Sequence, residues 1–135
     1  MWTCSECGRI FEKTKQPHSC QKVSLEEHFK NKDKAKEIFN YLVGKINSKV
    51  GKCRIISLPC CIHLFGSYDF LAALPKKGKL EIRFGLDSKL NSSRLRVSLP
   101  ISEKNIKNCI VINNIEEIDE ELMGWLGQAY HLKDR

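Results

Sequence analysis

The sequence predicts an α+β protein: an N-terminal zinc knuckle, a helix, a five- or six-stranded mostly antiparallel sheet, and a closing C-terminal helix. Three observations predict it. The first twenty residues hold Cys4-x-x-Cys7-Gly8 and His18-x-Cys20, a spacing of metal ligands. Residues 54–112 carry short apolar runs at period two, separated by turn residues. The stretches on either side, 33–49 and 114–129, carry apolar residues at helical period instead.

The knuckle comes first in the chain. Zinc takes four ligands tetrahedrally, and Cys-x-x-Cys lets one tight turn bring two sulfurs to one ion. Gly8 tolerates the positive φ with which such a turn closes. His18 and Cys20 are two apart, so on an extended segment their side chains point the same way. Pro17 fixes its own φ and favours an extended Gln16. Cys4, Cys7, His18 and Cys20 are therefore the candidate ligands of a structural zinc ion, with no position left open for a substrate water. A thioredoxin-like redox reading wants a strand before the Cys-x-x-Cys and a helix opening on it, and only Met1-Trp2-Thr3 precedes Cys4. Trp2, Ile10 and Phe11 are the large apolar groups of this segment, too few for a core, so metal binding must supply most of its folding free energy. The predicted division is a knuckle over 1–22 and an α+β domain over 23–135. Gln21-Lys22-Val23 are too short a link for a loose tether, so the knuckle is expected to pack on the domain.

Composition bounds the rest. Of 135 residues, 41% are hydrophobic and 29% charged, the balance of a globular chain. No apolar run is long enough to span a membrane and no secretory signal is evident, so no membrane partner is expected. Seven cysteines, three of them assigned to zinc, point to a reducing cytoplasm. Cys53, Cys60, Cys61 and Cys109 sit in apolar, strand-like segments and are expected in the core. The formal charge of +7 is uneven: residues 1–50 contribute +4, residues 51–112 contribute +7 and residues 113–135 contribute −4.

Past the knuckle, Ser24 with Glu27 is a capping pair for a first short helical turn over 25–29. A longer helix over 33–49 places Ala35, Ile38, Phe39, Leu42, Val43 and Ile46 on one stripe. Strands are predicted over 54–58, 61–65 and 70–74, with Pro75-Lys76-Lys77-Gly78 as a hairpin turn. Residues 79–86 alternate, with Leu80, Ile82, Phe84 and Leu86 inward and Lys79, Glu81 and Arg83 outward. Residues 94–98 repeat the pattern, with Leu95 and Val97 inward and Arg94, Arg96 and Ser98 outward. A last strand covers 106–112. Asn114 and Glu117 cap the closing helix, whose stripe is Ile115, Ile118, Leu122, Trp125, Leu126 and Ala129. The acidic run from Glu116 to Glu121 matches the positive end of the helix dipole.

The chain resembles a prokaryotic family catalogued as domain of unknown function fifty-six fifty-five, in some members of which the domain follows a short zinc-ribbon-like knuckle. The similarity rests on Cys4, Cys7, Gly8, Arg9, Phe11, Gln16, His18, Ser19 and Cys20, then on Ser24-Leu25-Glu26-Glu27-His28-Phe29. It returns at Asp119, Glu121-Leu122, Trp125-Leu126 and Ala129-Tyr130. The resemblance implies a fold and a zinc site, and no catalytic residue.

The function expected from these features is that of a zinc-containing binding or accessory module. Lys79, Arg83, Arg94 and Arg96, on the outward positions of two strands, are the candidate nucleic-acid contacts, with Lys76 and Lys77 at a hairpin tip. A solvated face that merely aids solubility is the competing reading, and no aromatics interleave for base stacking. The alternative is a small-molecule or protein-interaction domain using a concave face around His63 and Tyr68. Asp69 with Glu81-Ile82-Arg83 loosely echoes a divalent-metal-dependent nuclease, but Arg83 stands where that chemistry uses Lys and cannot give up its proton. Cys60-Cys61 with His63 could form a nucleophile–base pair, although adjacent cysteines in an apolar strand suit a core. No nucleophile elbow or phosphate loop appears, so an enzyme is not expected.

Overall fold

The computed structural model describes residues 2–11, 13–18, 23–102 and 105–132. The chain opens with a small hairpin, β1 (Trp2–Thr3) paired antiparallel with β2 (Ile10–Phe11). The hydroxyl of Ser24 then accepts the Glu27 N–H at 3.3 Å and starts α1 (Leu25–Phe29). In α2 (Asp33–Lys49), the residues Ala35, Ile38, Phe39, Leu42 and Ile46 are all buried, so the spacing in sequence becomes one apolar face. Phe29 tilts onto Phe39 with 5.3 Å between ring centroids and ties α1 to α2.

The main sheet holds β3 (Arg54–Ser57), β4 (Ile62–Phe65), β5 (Asp69–Lys76), β6 (Lys79–Leu86), β7 (Leu95–Ser102) and β8 (Asn105–Ile112). Their order is β3-β4-β5-β6-β8-β7, with every neighbouring pair antiparallel. β6 behaves as the alternation predicts. Leu80, Ile82, Phe84 and Leu86 are buried in the core shared with α2 and α3 (Glu120–His131), and Lys79, Glu81 and Arg83 lie on the opposite face. The turn between β5 and β6 is tighter than expected, closing at Gly78 with φ +77°. Pro75 is inside β5, paired with Leu80. It is tolerated because β4 ends opposite Ala73, so on that side Pro75 has no ladder bond to break.

Register irregularities reset the faces at three places, Phe70 in β5 and Arg96 and Ile101 in β7. In β5, Leu71 pairs with Leu64 while Asp69 pairs with Phe65, so Phe70 is the extra residue. Phe70 and Leu71 are consequently both buried in the core. In β7, Leu95 pairs with Ile110 but Val97 with Cys109, which makes Arg96 the extra residue. Leu95 stays half-buried against the core, as expected. Val97, expected inward, is instead turned out and is 42% exposed. Ser98, expected outward, turns in and donates to the side-chain Oδ1 of the buried Asn108 at 3.2 Å. A one-residue insertion flips the side chains that follow it to the other face, here as far as the next irregularity at Ile101.

The closing helix is also divided. The Glu117 carboxylate accepts the N–H groups of Asn113 and Asn114 at 2.7 and 2.9 Å, but this pair caps only a 3₁₀ turn (Ile115–Glu117). α3 starts afresh at Asp119, whose carboxylate accepts the Leu122 N–H at 3.0 Å. Leu122, Leu126 and Ala129 are buried, whereas Trp125 is only half-buried. Arg94 fills the break. Its guanidinium donates to the carboxylates of Asp119 and Glu121 at 2.9 and 3.1 Å and to the Glu117 carbonyl, and sits 5.7 Å over the Trp125 ring.

That placement makes Arg94 a structural residue. Hydrogen bonds to charged groups contribute about 1.5–3 kcal/mol each, less where, as here, the acids are half-exposed. Arg94→Gln should therefore lower stability by about 2 kcal/mol, read as a lower urea midpoint. The Leu122 N–H first, and Arg94 after it, hold the Asp119 carboxyl below its ordinary value. A depressed carboxylate stabilises fully above its ordinary value and loses that contribution as pH falls through the depressed one. The gap between wild type and Arg94→Gln should accordingly narrow in acid, and equal midpoints at pH 7 would contradict this role. Among the described residues, no helix is long and apolar enough to cross a membrane.

Candidate metal centre and the helix-free sheet face

The knuckle turn is built by its backbone. Gly8 N–H donates to the Cys4 carbonyl and Cys4 N–H to the Arg9 carbonyl, both at 2.9 Å, with Gly8 at φ +77°. This brings the buried Cys4 and Cys7 together, and His18 approaches from the other side of the turn at Thr14-Lys15. The ligand atoms of Cys4, Cys7 and His18 all lie within 4.8 Å of one another. His18 Nε2 is 3.4 Å from Cys7 Sγ, while Nδ1 lies 2.6 Å from the Gln16 carbonyl. A proton on Nδ1, donated to that carbonyl, leaves the Nε2 lone pair facing the sulfurs, the usual support of a metal-bound imidazole. The rings of Trp2 and Phe11 pack on His18 with centroids 5.9 and 4.4 Å away. Two cysteine sulfurs and an imidazole suit zinc, and the cluster can hold a metal ion in the manner of a zinc knuckle. Cys20, the expected fourth ligand, lies outside the described residues.

The knuckle is seated on the sheet. Ile10 packs against Ile56, Leu58 and Phe65, which form a cluster of their own apart from the main core. The Arg54 guanidinium lies 5.7 Å over the Phe65 ring and donates to the Gly8 carbonyl at 3.3 Å. Val23 N–H donates to the Ser57 carbonyl at 3.2 Å. The helices occupy one face of the sheet, and the knuckle covers the β3–β4 end of the other.

Across that second face the register aligns Ile56, His63, Ala72, Arg83, Cys109 and Val97 in one row. The four basic candidates do not act as one set. Arg83 pairs with Glu81 at 2.8 Å, and Arg94 is committed to Asp119 and Glu121. Lys79 and Arg96 are exposed. What β7 presents instead is apolar: Val97, Leu99 and Ile101 are 42%, 56% and 62% exposed.

A second cluster adjoins the knuckle on this face. The sulfurs of Cys60 and Cys61 are 3.1 Å apart, Cys61 Sγ is 3.1 Å from His63 Nε2, and His63 Nδ1 is 2.6 Å from the Asp69 carboxylate. Cys60, Cys61 and His63 also keep their ligand atoms within 4.8 Å and can hold a metal ion. Burial opposes charge on His63, but the Asp69 hydrogen bond, reinforced by Cys61, pushes its pKa up to about 10. Burial likewise opposes the Cys61 thiolate, but the hydrogen bonds to His63 and Cys60, together with the His63 charge, outweigh it and pull that thiol down. The Cys61-x-His63 spacing was visible in the sequence. Asp69 was not, because the Phe70 bulge is what brings it to this face.

The other expected groupings do not form. Tyr68 packs against the main core and its hydroxyl donates to the Ala129 carbonyl, so it lines no concavity with His63. Glu81 pairs with Leu74, five residues along β5 from Asp69, a separation of roughly 16 Å. Those two carboxylates share no metal. Cys53 is half-buried and Cys60 exposed, against the expectation of core positions; Cys61 and Cys109 are buried. A cleft of about 390 Å³ on the helical side is lined by Lys45, Lys49, Ile118, Asp119, Glu120 and Met123, none of them from either cluster.

Fold and site thus define an α+β chain with Cys/His groups suited to metal. Compared with protein-family models, curated proteins and solved structures, the chain matches none of them. The family resemblance rests on its motif residues alone.

Proposed function

We propose that the chain is a zinc-stabilised protein-interaction module. Cys4, Cys7, His18 and Cys20 hold the structural zinc, and the helix-free sheet face receives an acidic segment of a partner protein that carries apolar anchors. The observation that carries the reading is the run of exposed apolar residues on the edge strand β7: Val97 and Leu99 share the helix-free face, and Ile101 is exposed at the second irregularity of the strand. Contiguous exposed apolar residues on a polar background mark interaction surfaces. The surrounding charge supplies the sign. Arg96 is exposed at the bulge, Lys107 pairs with Leu99 in register, and the middle of the chain is its most basic part. Strand addition along the edge is disfavoured, because Pro100 and two irregularities interrupt the β7 ladder. The partner therefore lies across the face, where complementary charge orients it. With Arg83 and Arg94 engaged by acidic neighbours, nucleic acid has two fewer cations to contact than the sequence suggested.

Fluorescence titration tests this with defined probes: a peptide alternating Glu and Leu, its Lys/Leu counterpart, and a single-stranded oligonucleotide. The zinc-loaded chain should bind the Glu/Leu peptide, and Leu99→Glu should weaken it at least tenfold. Binding of the oligonucleotide without the peptide would overturn the proposal in favour of nucleic acid; no change in Leu99→Glu would overturn the choice of surface.

A further inference from the structure

We propose that Cys60, Cys61 and His63 form a second metal centre, which takes a thiophilic d¹⁰ cation such as zinc with one coordination position left open. The site is built by the hairpin between β3 and β4. Leu58 N–H donates to the Cys61 carbonyl at 3.0 Å, leaving Pro59-Cys60 as the loop, and the His28 imidazole lies 2.7 Å from the Leu58 carbonyl and pins it. Cys61 and His63 are two apart where β4 begins and so share the helix-free face. Cys60 adds its sulfur from the loop. Tetrahedral zinc–sulfur bonds of about 2.3 Å set a sulfur–sulfur edge near 3.8 Å, so the 3.1 Å contact has to open by less than 1 Å.

Asp69 is the second, independent observation. Its carboxylate takes the hydrogen bond from His63 Nδ1 at 2.6 Å, and His63 Nε2 faces the sulfurs. This carboxylate–histidine pairing fixes the imidazole as a metal ligand and is the usual outer support of such sites. Its existence depends on the Phe70 bulge, a device that re-aims a side chain next to functional sites. With Asp69 engaged on Nδ1, the cluster offers three ligand atoms among the described residues. Three protein ligands plus a water or an incoming ligand is the open arrangement, in contrast to the four-ligand knuckle. Cys60 is exposed, which gives the ion a way in, while Cys61 is buried and His63 half-buried. Binding releases the proton on His63 Nε2 as well as those that the thiols carry. The soft donor pair excludes magnesium and calcium, which require oxygen ligands.

Zinc titration of the full chain, followed by native mass spectrometry and competition with a chromophoric chelator, tests this. The wild type should hold two zinc ions, one tight and one exchangeable. His63→Gln and, separately, Cys60→Ser with Cys61→Ser should hold one, the tight ion. Asp69→Asn should keep both but bind the exchangeable ion 10–100-fold more weakly, which mere loss of packing would not do. Cys7→Ser should lose the tight ion alone, so failure of the knuckle reading is told apart from failure of this one. Far-ultraviolet circular dichroism identifies any variant that has not folded, and the Asp69→Asn affinity then decides. One zinc in the wild type that survives His63→Gln, or two in His63→Gln, would overturn the second centre.

Discussion

Removing zinc from the knuckle should unfold residues 2–18 and leave the six-stranded sheet standing. The apolar groups there are Trp2, Ile10 and Phe11, and of these Ile10 is the one packed with the small cluster beneath. Structural zinc supplies apparent free energies of about 10–16 kcal/mol in small finger domains, far more than those three side chains can replace. The sheet is in a different position. Its core runs from Phe29 to Ala129 and includes eleven of the twelve largest fully buried side chains, all but Phe65, and none of them is from the knuckle. Strong chelation, or Cys7→Ser, should therefore abolish the structured Trp2 signal in near-ultraviolet dichroism and open residues 2–18 to proteolysis. The far-ultraviolet melt should stay cooperative. Ile56, Leu58 and Phe65 lose their Ile10 cover at the same time, so binding of a hydrophobic dye should rise. Loss of the whole melt on chelation would show that the sheet depends on the metal.

Phe39→Ala should be the most damaging single substitution outside the knuckle. Phe39 is 2% exposed, stacks in a tilted contact on Phe29 and belongs to the main core. Truncating a buried phenylalanine costs about 3–5 kcal/mol, from lost burial together with the cavity that remains. A domain of this size has about 5–15 kcal/mol in all, so the variant should melt far lower or not fold at physiological temperature. Leu99→Glu is the informative contrast. Leu99 is 56% exposed, so that change should move stability by no more than about 0.5 kcal/mol while it impairs binding. A large loss of stability in Leu99→Glu would mean that β7 belongs to the core after all.

How far the sequence could be read depended on whether a signal was local. β6 was legible residue by residue because its two faces differ cleanly and no insertion interrupts it. The stripe on α2 was equally plain. β7 was misread after Leu95, since a bulge at Arg96 inserts one residue without changing composition, and Val97 and Ser98 exchange faces. The C-terminal helix held two cap signals in series, Asn114 with Glu117 and then Asp119, and only the second begins an α-helix. Arg94 read as a solvent cation because its acidic partners lie 25 and 27 residues further along the chain. Asp69 is only six residues from His63, and it was hidden because a turn and a bulge make that pairing. The grouping of Cys4, Cys7 and His18 was legible because metal chemistry requires those residue types at that spacing.

The measurement that bears most directly on the binding account is amide chemical-shift mapping of the ¹⁵N-labelled, zinc-loaded chain during titration with the Glu/Leu peptide. The predicted result is a set of saturable shifts on Val97, Leu99, Ile101, Lys107, Cys109 and Val111, with α2 and α3 undisturbed. Shifts confined to α2, α3 or the knuckle, or none at all, would contradict it.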